Sequence, residues 1–491
     1  MSKKKERLTR AIFPLALSAL LLAACEPAGT SSLGDGEETD SSGTSQTEKQ
    51  GSPLSLLRQS QGSGAMGSEG DQKVLVIPFS FSDDIFKITA SDILALDSGF
   101  ESSPVGYTAL SYYQQSSGGK LSLSGSVEAP VTISTTFEDF INNLASTGSS
   151  PVIASALDEA IDAWVAEGNS IADYDQDGDG KIDNLIVANP FPAYNGTWTY
   201  GDETMDQLVA SFMRDQLVSA EKANAAEWMC GSLGTNFGTQ DPMNVRFIKA
   251  IADLLGVPEY SDQTGDLQGN VRAPLGYTDV TEEGISDHNP FTKYLLGWTE
   301  PTKVIASSLE GEATYTIAPG ESLLLSNEDT GFFGEYLLID YFTPTGLNSG
   351  SSLTEPAVRV YKVDSRLVAG GDDGFYPYYG EPDFNSDLAY DFAYTNSGRN
   401  VNAVYGIAGN YALVQLLDST GANRQMTNPM YITDDNLWHE GDVFGKESLV
   451  DGFYHDFRFD GNGAVRPELG LTFEVGKLTD EGATITVRRA N

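Results

Sequence analysis

The sequence has little cysteine and histidine, which disulfide-stabilised domains and metalloenzymes use heavily, and few basic residues for its number of acidic ones. It has 2 cysteines and 3 histidines in 491 residues, and 29 Lys and Arg against 70 Asp and Glu. Because Cys25 has another role, described next, Cys230 has no partner for an intramolecular disulfide, and we expect it to be a small buried residue. A formal charge of −41 repels nucleic acid and anionic lipid headgroups, so we expect neither as a partner, and it favours divalent cations.

The first 24 residues have the pattern of a secretory signal. Basic residues precede an apolar run from Ala11 to Ala24, which is shorter than the roughly 20 apolar residues of a transmembrane helix. The run ends in Leu22-Ala23-Ala24-Cys25, which resembles the lipobox of bacterial lipoproteins. The resemblance implies a lipid on Cys25 and a place at the outer membrane or cell surface. An ordinary signal peptide with a chance cysteine is the alternative.

Residues 25–72 predict a tether. The segment consists largely of Ser, Gly, Thr, Glu and Asp, with almost no aromatic or branched residues. Such a segment cannot bury enough apolar surface to offset the entropy of ordering it. We therefore expect a disordered spacer between the membrane and the folded body.

Residues 73–305 predict an α/β domain. Apolar runs at Val74–Phe81 and Leu185–Ala188 are typical of buried strands, and Leu121–Val127 alternates with period two. Helical patterns cover 105–115 and 151–167, so helices and strands interleave.

Residues 306–491 predict an all-β, sandwich-like region. Short alternating strands are separated by turns rich in Gly, Asp and Asn. The last two strands, Leu471–Val475 and Ala483–Val487, are expected to pair across Asp480-Glu481-Gly482.

The sharpest motif is an aspartate-rich loop between a helix and a strand. Alternate carboxylates can curl around one hard cation, Gly180 permits the tight bend, and Lys181 contributes its backbone carbonyl. The twelfth position, where an EF-hand has a bidentate glutamate, is Ile186, and a strand follows instead of a second helix. The loop therefore predicts a structural calcium site and not a sensor EF-hand, with a solvated acidic turn as the alternative. The ligand residues are Asp175, Asp177, Asp179, Lys181 and Asp183.

Five segments in order resemble the immune inhibitor A family of secreted zinc metallopeptidases. They are Val74–Asp83, Tyr112–Gly125, the loop at Asp175, Thr292–Trp298 and Gly334–Leu338. The resemblance covers residues 73–491 and implies a zincin-like, metallopeptidase-like α/β domain ahead of the β-rich region.

The family's zinc motif, His-Glu-Phe-Gly-His-x-Leu-Gly-Leu-Pro-Asp, is degenerate in this chain. The register set by Leu255-Gly-Val-Pro-Glu259 puts Lys249 and Asp253 at the two histidine positions and Ala250 at the general-base glutamate. Glu259 is left at the third ligand position, and Leu275 stands where the resemblance implies a methionine beneath the metal. An ammonium group repels Zn²⁺ and a methyl group takes no proton, so zinc and catalysis are not expected.

The helix itself is predicted to persist around this degenerate site. Phe247, Ile251 and Leu254 keep the helical period, and Lys249 lies one turn from Asp253, a spacing that favours an ion pair. The histidines His288, His439 and His455 are too far apart to rebuild the site locally, and we expect each on the surface or in a loop.

These patterns predict a surface-anchored, catalytically inactive peptidase relative that binds a polypeptide or a surface polysaccharide. An active metallopeptidase or other hydrolase with a non-standard site is one alternative. A Cys230–His288 pair of nucleophile and base is conceivable in principle, but the sequence gives no geometry for it and we set it aside. An adhesin or carbohydrate-binding lipoprotein, using the β half and the Tyr-rich stretch 376–394, is the other.

Overall fold

Two regions of different architecture follow each other along the chain, an α/β half and an all-β half. The computed structural model describes residues 66–84, 86–101, 107–147, 149–190, 198–200, 203–205, 216–218, 220–230, 242–257, 260, 275–282, 286–329, 331–332, 334–365, 367–369, 391–393, 414–420, 432–445 and 469–490. The predictions for the signal sequence, Cys25, Glu259 and His455 lie outside these residues, as does the stretch 376–394 except for residues 391–393.

Ordered structure begins ahead of the predicted boundary at residue 73. Met66 is fully buried, and its backbone N–H donates to the carbonyl of Leu254. The first strand then begins at Gly70. A single methionine in a Ser- and Gly-rich stretch has no periodicity, which is why its burial was not predicted.

The α/β half is built on a mostly parallel sheet with the strand order β2-β1-β4-β8-β7. Its neighbours pair in parallel except β7 and β8, which are antiparallel, and β3 pairs with the end of β1. A separate hairpin joins β5 and β6. The strands are β1 (Gly70–Ser80), β2 (Leu121–Val127), β3 (Val131–Thr132), β4 (Ile182–Asn189), β5 (Trp198–Tyr200), β6 (Glu203–Met205), β7 (Gln216–Val218) and β8 (Ala223–Cys230).

Helices cover both faces of this sheet, as the interleaved pattern predicted. The helices are α1 (Ala90–Phe100), α2 (Ala109–Ser116), α3 (Phe137–Thr147), α4 (Ser149–Ala166), α5 (Met243–Leu255) and α6 (Pro290–Leu295). Successive residues of a strand point to opposite faces. Val74 and Val76 accordingly pack into one core with α1, α2 and α5, whereas Leu75 and Ile77 pack into the other with α3 and α4.

The C-terminal half is all-β, and its two sheets share one core. The first has the order β16-β13-β12-β11-β9 and the second β10-β19-β18-β17. The core takes Leu337, Ile339 and Val360 from the first sheet and Phe473 and Ile485 from the second. The strands are β9 (Thr302–Ile305), β10 (Glu312–Ile317), β11 (Ser322–Ser326), β12 (Glu335–Phe342), β13 (Ala357–Asp364), β14 (Leu367–Ala369), β15 (Asp391–Ala393), β16 (Val414–Leu416), β17 (Val443–Phe444), β18 (Leu471–Thr479) and β19 (Gly482–Arg489), with β14 and β15 forming a separate hairpin.

The two halves are joined by a continuous core. The face of β12 and β13 that points away from the sandwich contributes Leu338 and Tyr361 to the cluster that also holds α5 and α6. The predicted pairing of the last two strands is confirmed as β18 and β19. None of the helices in the described part of the chain has the length and apolar character that crossing a bilayer requires.

Candidate functional site

The helix that carries the degenerate zinc motif is present as predicted. Phe247, Ile251 and Leu254 are fully buried along one side of α5, and Gly256 ends the helix with a left-handed backbone at φ 75°. The helix is therefore stabilised by the packing of its apolar face and does not depend on metal-binding residues on its polar face.

The three described motif positions differ in their surroundings. Lys249 and Asp253 are partly exposed on neighbouring turns of α5, whereas Ala250 is only 2% exposed. A residue at position 250 therefore points into the protein, and its methyl group can neither hold a metal nor accept a proton. The proposed Lys249–Asp253 ion pair stays a prediction.

A tight turn, residues 275–278, packs close to this helix. Leu275 is fully buried in the same core as α5, and the 3-10 turn Val280–Glu282 also contacts the helix. The Glu282 carboxylate accepts the backbone N–H groups of Leu275 and Tyr277, each at 2.8 Å. Glu282 is itself 0% exposed, so the turn is held by a buried carboxylate that sequence patterns did not single out.

A second buried carboxylate, Asp279, directly follows this turn. Its oxygens accept the N–H and hydroxyl of Thr281, at 2.8 and 2.6 Å, and the N–H and side-chain amide of Asn289, at 2.6 and 2.8 Å. Burial by itself raises the pKa of Asp279, but the imidazole of His288 and the Thr281 donors lower it, and the net shift is downward. Asp279 is therefore an ionised, fully buried group.

His288 lies beside Asp279 in the loop 286–289, so the expectation of a surface or loop residue holds for the loop, but the side chain is buried and not on the surface. Its side chain is 1% exposed, and its Nδ1 lies 3.9 Å from Asp279 Oδ1, within ion-pair range and beyond a hydrogen bond. The rings of Tyr112, Tyr113 and Trp298 surround it at centroid distances of 5.4, 5.7 and 6.0 Å. A lone histidine in a polar stretch, Ser-Asp-His-Asn, has no periodicity from which burial could be inferred.

The Cys230–His288 pair is not formed. Cys230 is buried in the core on the α3 and α4 side of the first sheet. The rings around His288 belong to the core on the opposite side. Cys230 is small and buried, as predicted.

His439 is partly buried and has a structural contact. Its Nε2 lies 2.9 Å from the backbone carbonyl of Asp434 in the β half, far along the chain from the degenerate motif. The expectation of a surface or loop residue holds for His439.

The aspartate loop forms a compact turn ahead of β4. Ligand oxygens of Asp175, Asp177 and Asp183 lie within 4.8 Å of one another, a spacing that one cation can bridge. Asp179 is outside that group of carboxylates, and its Oδ1 accepts the Lys181 N–H at 2.8 Å. The role of the Lys181 carbonyl stays a prediction. Gly178 and Gly180 have φ of 82° and 87°, which explains the two glycines.

Charge repulsion is built into this loop. Burial, and then the charges of Asp177 and Asp175, raise the pKa of Asp183. A bound cation would relieve that repulsion. The loop is tied to β1 because the Lys73 N–H donates to Gln176 Oε1 at 2.9 Å and the Lys73 ammonium donates to the carbonyl of Asp173 at 2.9 Å.

Comparison of the sequence with known proteins found no match. The sequence matches no protein-family model, and none of the curated proteins compared with it is significantly similar.

Proposed function

We propose that this protein is a noncatalytic relative of the immune inhibitor A metallopeptidases, exported and anchored by a lipid on Cys25, and that it acts by binding. The observation that carries the proposal is the polar edge of α5, where Lys249 and Asp253 occupy the histidine positions and buried Ala250 occupies the general-base position.

The order of elements supports the resemblance. The sheet ends in one antiparallel edge strand, β7, and the helix with the degenerate motif follows β8. The turn at Leu275, the residue aligned with the family's methionine, packs into the same core as that helix. The zincin-like fold remains part of the proposal, and the α/β architecture is its basis.

The chemistry of the α5 edge supports binding over hydrolysis. A lysine ammonium beside the metal position repels Zn²⁺, and one carboxylate cannot replace two imidazoles. Lys249 and Asp253 are partly exposed, so a positive and a negative side chain stand at the surface that a polypeptide or a surface polysaccharide would contact.

Calcium binding by the aspartate loop is a second part of the proposal. The convergence of Asp175, Asp177 and Asp183 supports it, as does their mutual repulsion. Because the loop connects α4 to β4 and contacts β1, the calcium would have a structural role.

The catalytic question is tested by metal content and peptide cleavage. We expect the protein purified at neutral pH to contain no stoichiometric zinc and to leave casein intact. Stoichiometric zinc together with chelator-sensitive cleavage would refute the proposal and favour the active-hydrolase alternative. The variant Lys249→His/Ala250→Glu/Asp253→His tests the aligned register, because it should gain zinc affinity only if these positions face a metal cavity.

The binding role is tested with a peptide library and a glycan array. Lys249→Ala/Asp253→Ala should lose binding, whereas Lys303→Ala/Asp329→Ala, which removes an ion pair at 3.6 Å in the β half, should keep it. Both variants leave the net charge unchanged. Glycan binding that survives the α5 substitutions would favour the adhesin alternative instead.

A further inference from the structure

Residues 66–69, which we name the strap, are part of the folded body although they precede the first strand. Met66 is 0% exposed and Ser68 is 9% exposed. Met66 packs into the core that also holds α1, α2 and α5. Because so short and polar a segment has no stable structure of its own, the position of the strap depends on the partners that the body offers it.

The first partner of the strap is the last turn of α5. The carbonyl groups in the last turn of a helix have no partner within the helix. Those of Ala252 and Asp253 accept from the residues that follow the helix. The carbonyl of Leu254 instead accepts the Met66 N–H, at 3.1 Å. The strap therefore caps α5 directly beside Asp253, one of the two polar residues of its edge.

The second partner is Trp298, which lies where the chain passes from α6 to β9 and so from the α/β half to the β half. Its indole N–H donates to the Ser68 carbonyl at 2.7 Å. Trp298 is 4% exposed, and a buried indole N–H needs an acceptor of this kind. The strap is therefore bonded both to the helix that carries the degenerate motif and to the connection between the two halves.

A third contact of the strap lies on the surface. The Glu69 carboxylate is 4.0 Å from the Lys120 ammonium, which donates to the carbonyl of Gly297 at 2.7 Å. Both side chains of this pair are roughly half exposed, and exposed ion pairs contribute little to stability. The hydrogen bonds of Met66 and Ser68 therefore determine whether the strap stays in place.

We propose that the strap is a conformational device that closes as one unit over the last turn of α5 and over Trp298, and that its release loosens both. Met66 and Ser68 are two residues apart, which is a reach of about 7 Å of extended chain. The chain between the two hydrogen bonds is therefore too short for one bond to hold while the partner of the other moves far away.

Release of the strap has a consequence for the α5 edge. It frees the turn that carries Asp253, so the binding surface proposed for Lys249 and Asp253 depends on a closed strap. Residue 66 also follows the predicted tether, so tension on the tether acts on the strap before it reaches the core. This second consequence rests on the proposed anchor at Cys25, whereas the strap itself does not.

The strap is tested by amide hydrogen exchange in the full-length protein. Trp298→Phe removes the donor to Ser68 and keeps an aromatic ring. It should raise the exchange rates of the Gly256 and Val257 amides about fivefold, the change in an opening equilibrium that corresponds to one hydrogen bond. Unchanged rates at both amides would overturn the proposal.

The matched control is Trp438→Phe. It removes an indole N–H that donates to the carbonyl of Leu417 at 3.1 Å, in the core of the β half. Exchange at Gly256 and Val257 should stay as it is in the natural protein. A comparable increase in the control would mean that loss of any buried indole hydrogen bond loosens α5, and the proposal would then be wrong.

Joint opening is tested with Met66→Ala in the same experiment. This variant removes a buried side chain and should also raise exchange at Gly256 and Val257. In Met66→Ala/Trp298→Phe the two increases should not multiply, because the strap is released only once. Increases that multiply would show two independent contacts and refute a strap that opens as a unit.

The comparison of Trp298→Phe with Trp438→Phe still decides if Met66→Ala does not fold. None of these exchange measurements depends on the lipid at Cys25 or on metal content. Failure of the strap is therefore distinguishable from failure of the proposed function.

Discussion

Arg359 lies directly opposite Asp340 across β12 and β13, and its guanidinium donates to both carboxylate oxygens. Its planar group also lies over the rings of Phe342 and Tyr361, at 5.2 and 5.6 Å from their centroids. Burial lowers the pKa of Arg359, but the charge of Asp340, the neighbouring Tyr361 and the hydrogen bond to Asp340 together raise it, and the net shift is upward. The Arg359–Asp340 pair lies on the face of the sheet that meets the α/β half.

Breaking this pair should destabilise the protein more than replacing it. Arg359→Met leaves Asp340 as a buried unpaired charge and should cost about 3–5 kcal/mol in the free energy of unfolding. The double variant Asp340→Leu/Arg359→Met removes both charges and should recover most of that loss. Urea unfolding of the two variants measures the difference. Equal losses in both would mean that the ion pair itself, and not the uncompensated charge, dominates.

Gly125 should resist substitution because of a close backbone approach. It pairs with Val74 between β1 and β2 and has φ 149°, and a Cβ there would lie 1.9 Å from the Val74 carbonyl oxygen. Gly125→Ala should therefore cost about 2–3 kcal/mol of unfolding free energy through forced displacement of the strands.

The matched control for this effect is Gly119→Ala. Gly119 has φ 82° but nothing within 4 Å of a built Cβ, so only its backbone conformation is penalised. That penalty is about 1 kcal/mol. Thermal or urea unfolding that ranks Gly119→Ala as the more damaging change would contradict the close-approach explanation.

Calcium should stabilise the α/β half through the aspartate loop. At a calcium concentration about 100 times the dissociation constant, the expected gain is about 2.7 kcal/mol, seen as a rise in melting temperature that a chelator reverses. Asp177→Asn should move the calcium titration to at least about tenfold higher concentration because it removes a charged ligand. Asp173→Asn, an exposed acid outside the converging group, is the control. A melting temperature that ignores calcium would favour the solvated-turn alternative.

The architecture could be predicted from the sequence because it depends on the periodicity of apolar residues. The apolar run at Val74 and the helical pattern at 151–167 both report how a segment faces its neighbours, and both elements are present with bounds shifted by a few residues. The aspartate loop could be predicted equally well, since Asp and Gly at this fixed spacing are typical of one turn geometry. Its convergence of Asp175, Asp177 and Asp183 follows from that spacing.

The burial of Asp279, His288 and Arg359 could not be predicted from the sequence, for a physical reason. Asp279, His288 and Arg359 are separated by 9 and 71 positions in the sequence. They come near one another only because tertiary packing places the loop 286–289 against α2 and brings Asp279 within electrostatic reach of Arg359 on β13. Each looks like a solvated residue in its own segment, because local patterns carry no information on which polar groups tertiary packing will bury. The same limit explains why Glu282 was not singled out.

Asp279 should give the stability of the protein a measurable dependence on acid. Its pKa in the folded state lies below the ordinary value, so its ionised form stabilises the fold above about pH 4, and that contribution is lost as the pH falls through the folded pKa.

At pH 7, Asp279→Asn should cost about 2–4 kcal/mol of unfolding free energy, because an amide cannot accept from both Thr281 and Asn289. The gap between the natural protein and the variant should narrow as the pH falls below about 4, because the unfolded carboxyl group then binds a proton that the folded one, with its lowered pKa, resists. Urea unfolding at a series of pH values measures this gap, and Asp287→Asn serves as a control for a less buried acid. A gap that stays constant from pH 7 to 3 would show that Asp279 stabilises the turn by shape and not by charge.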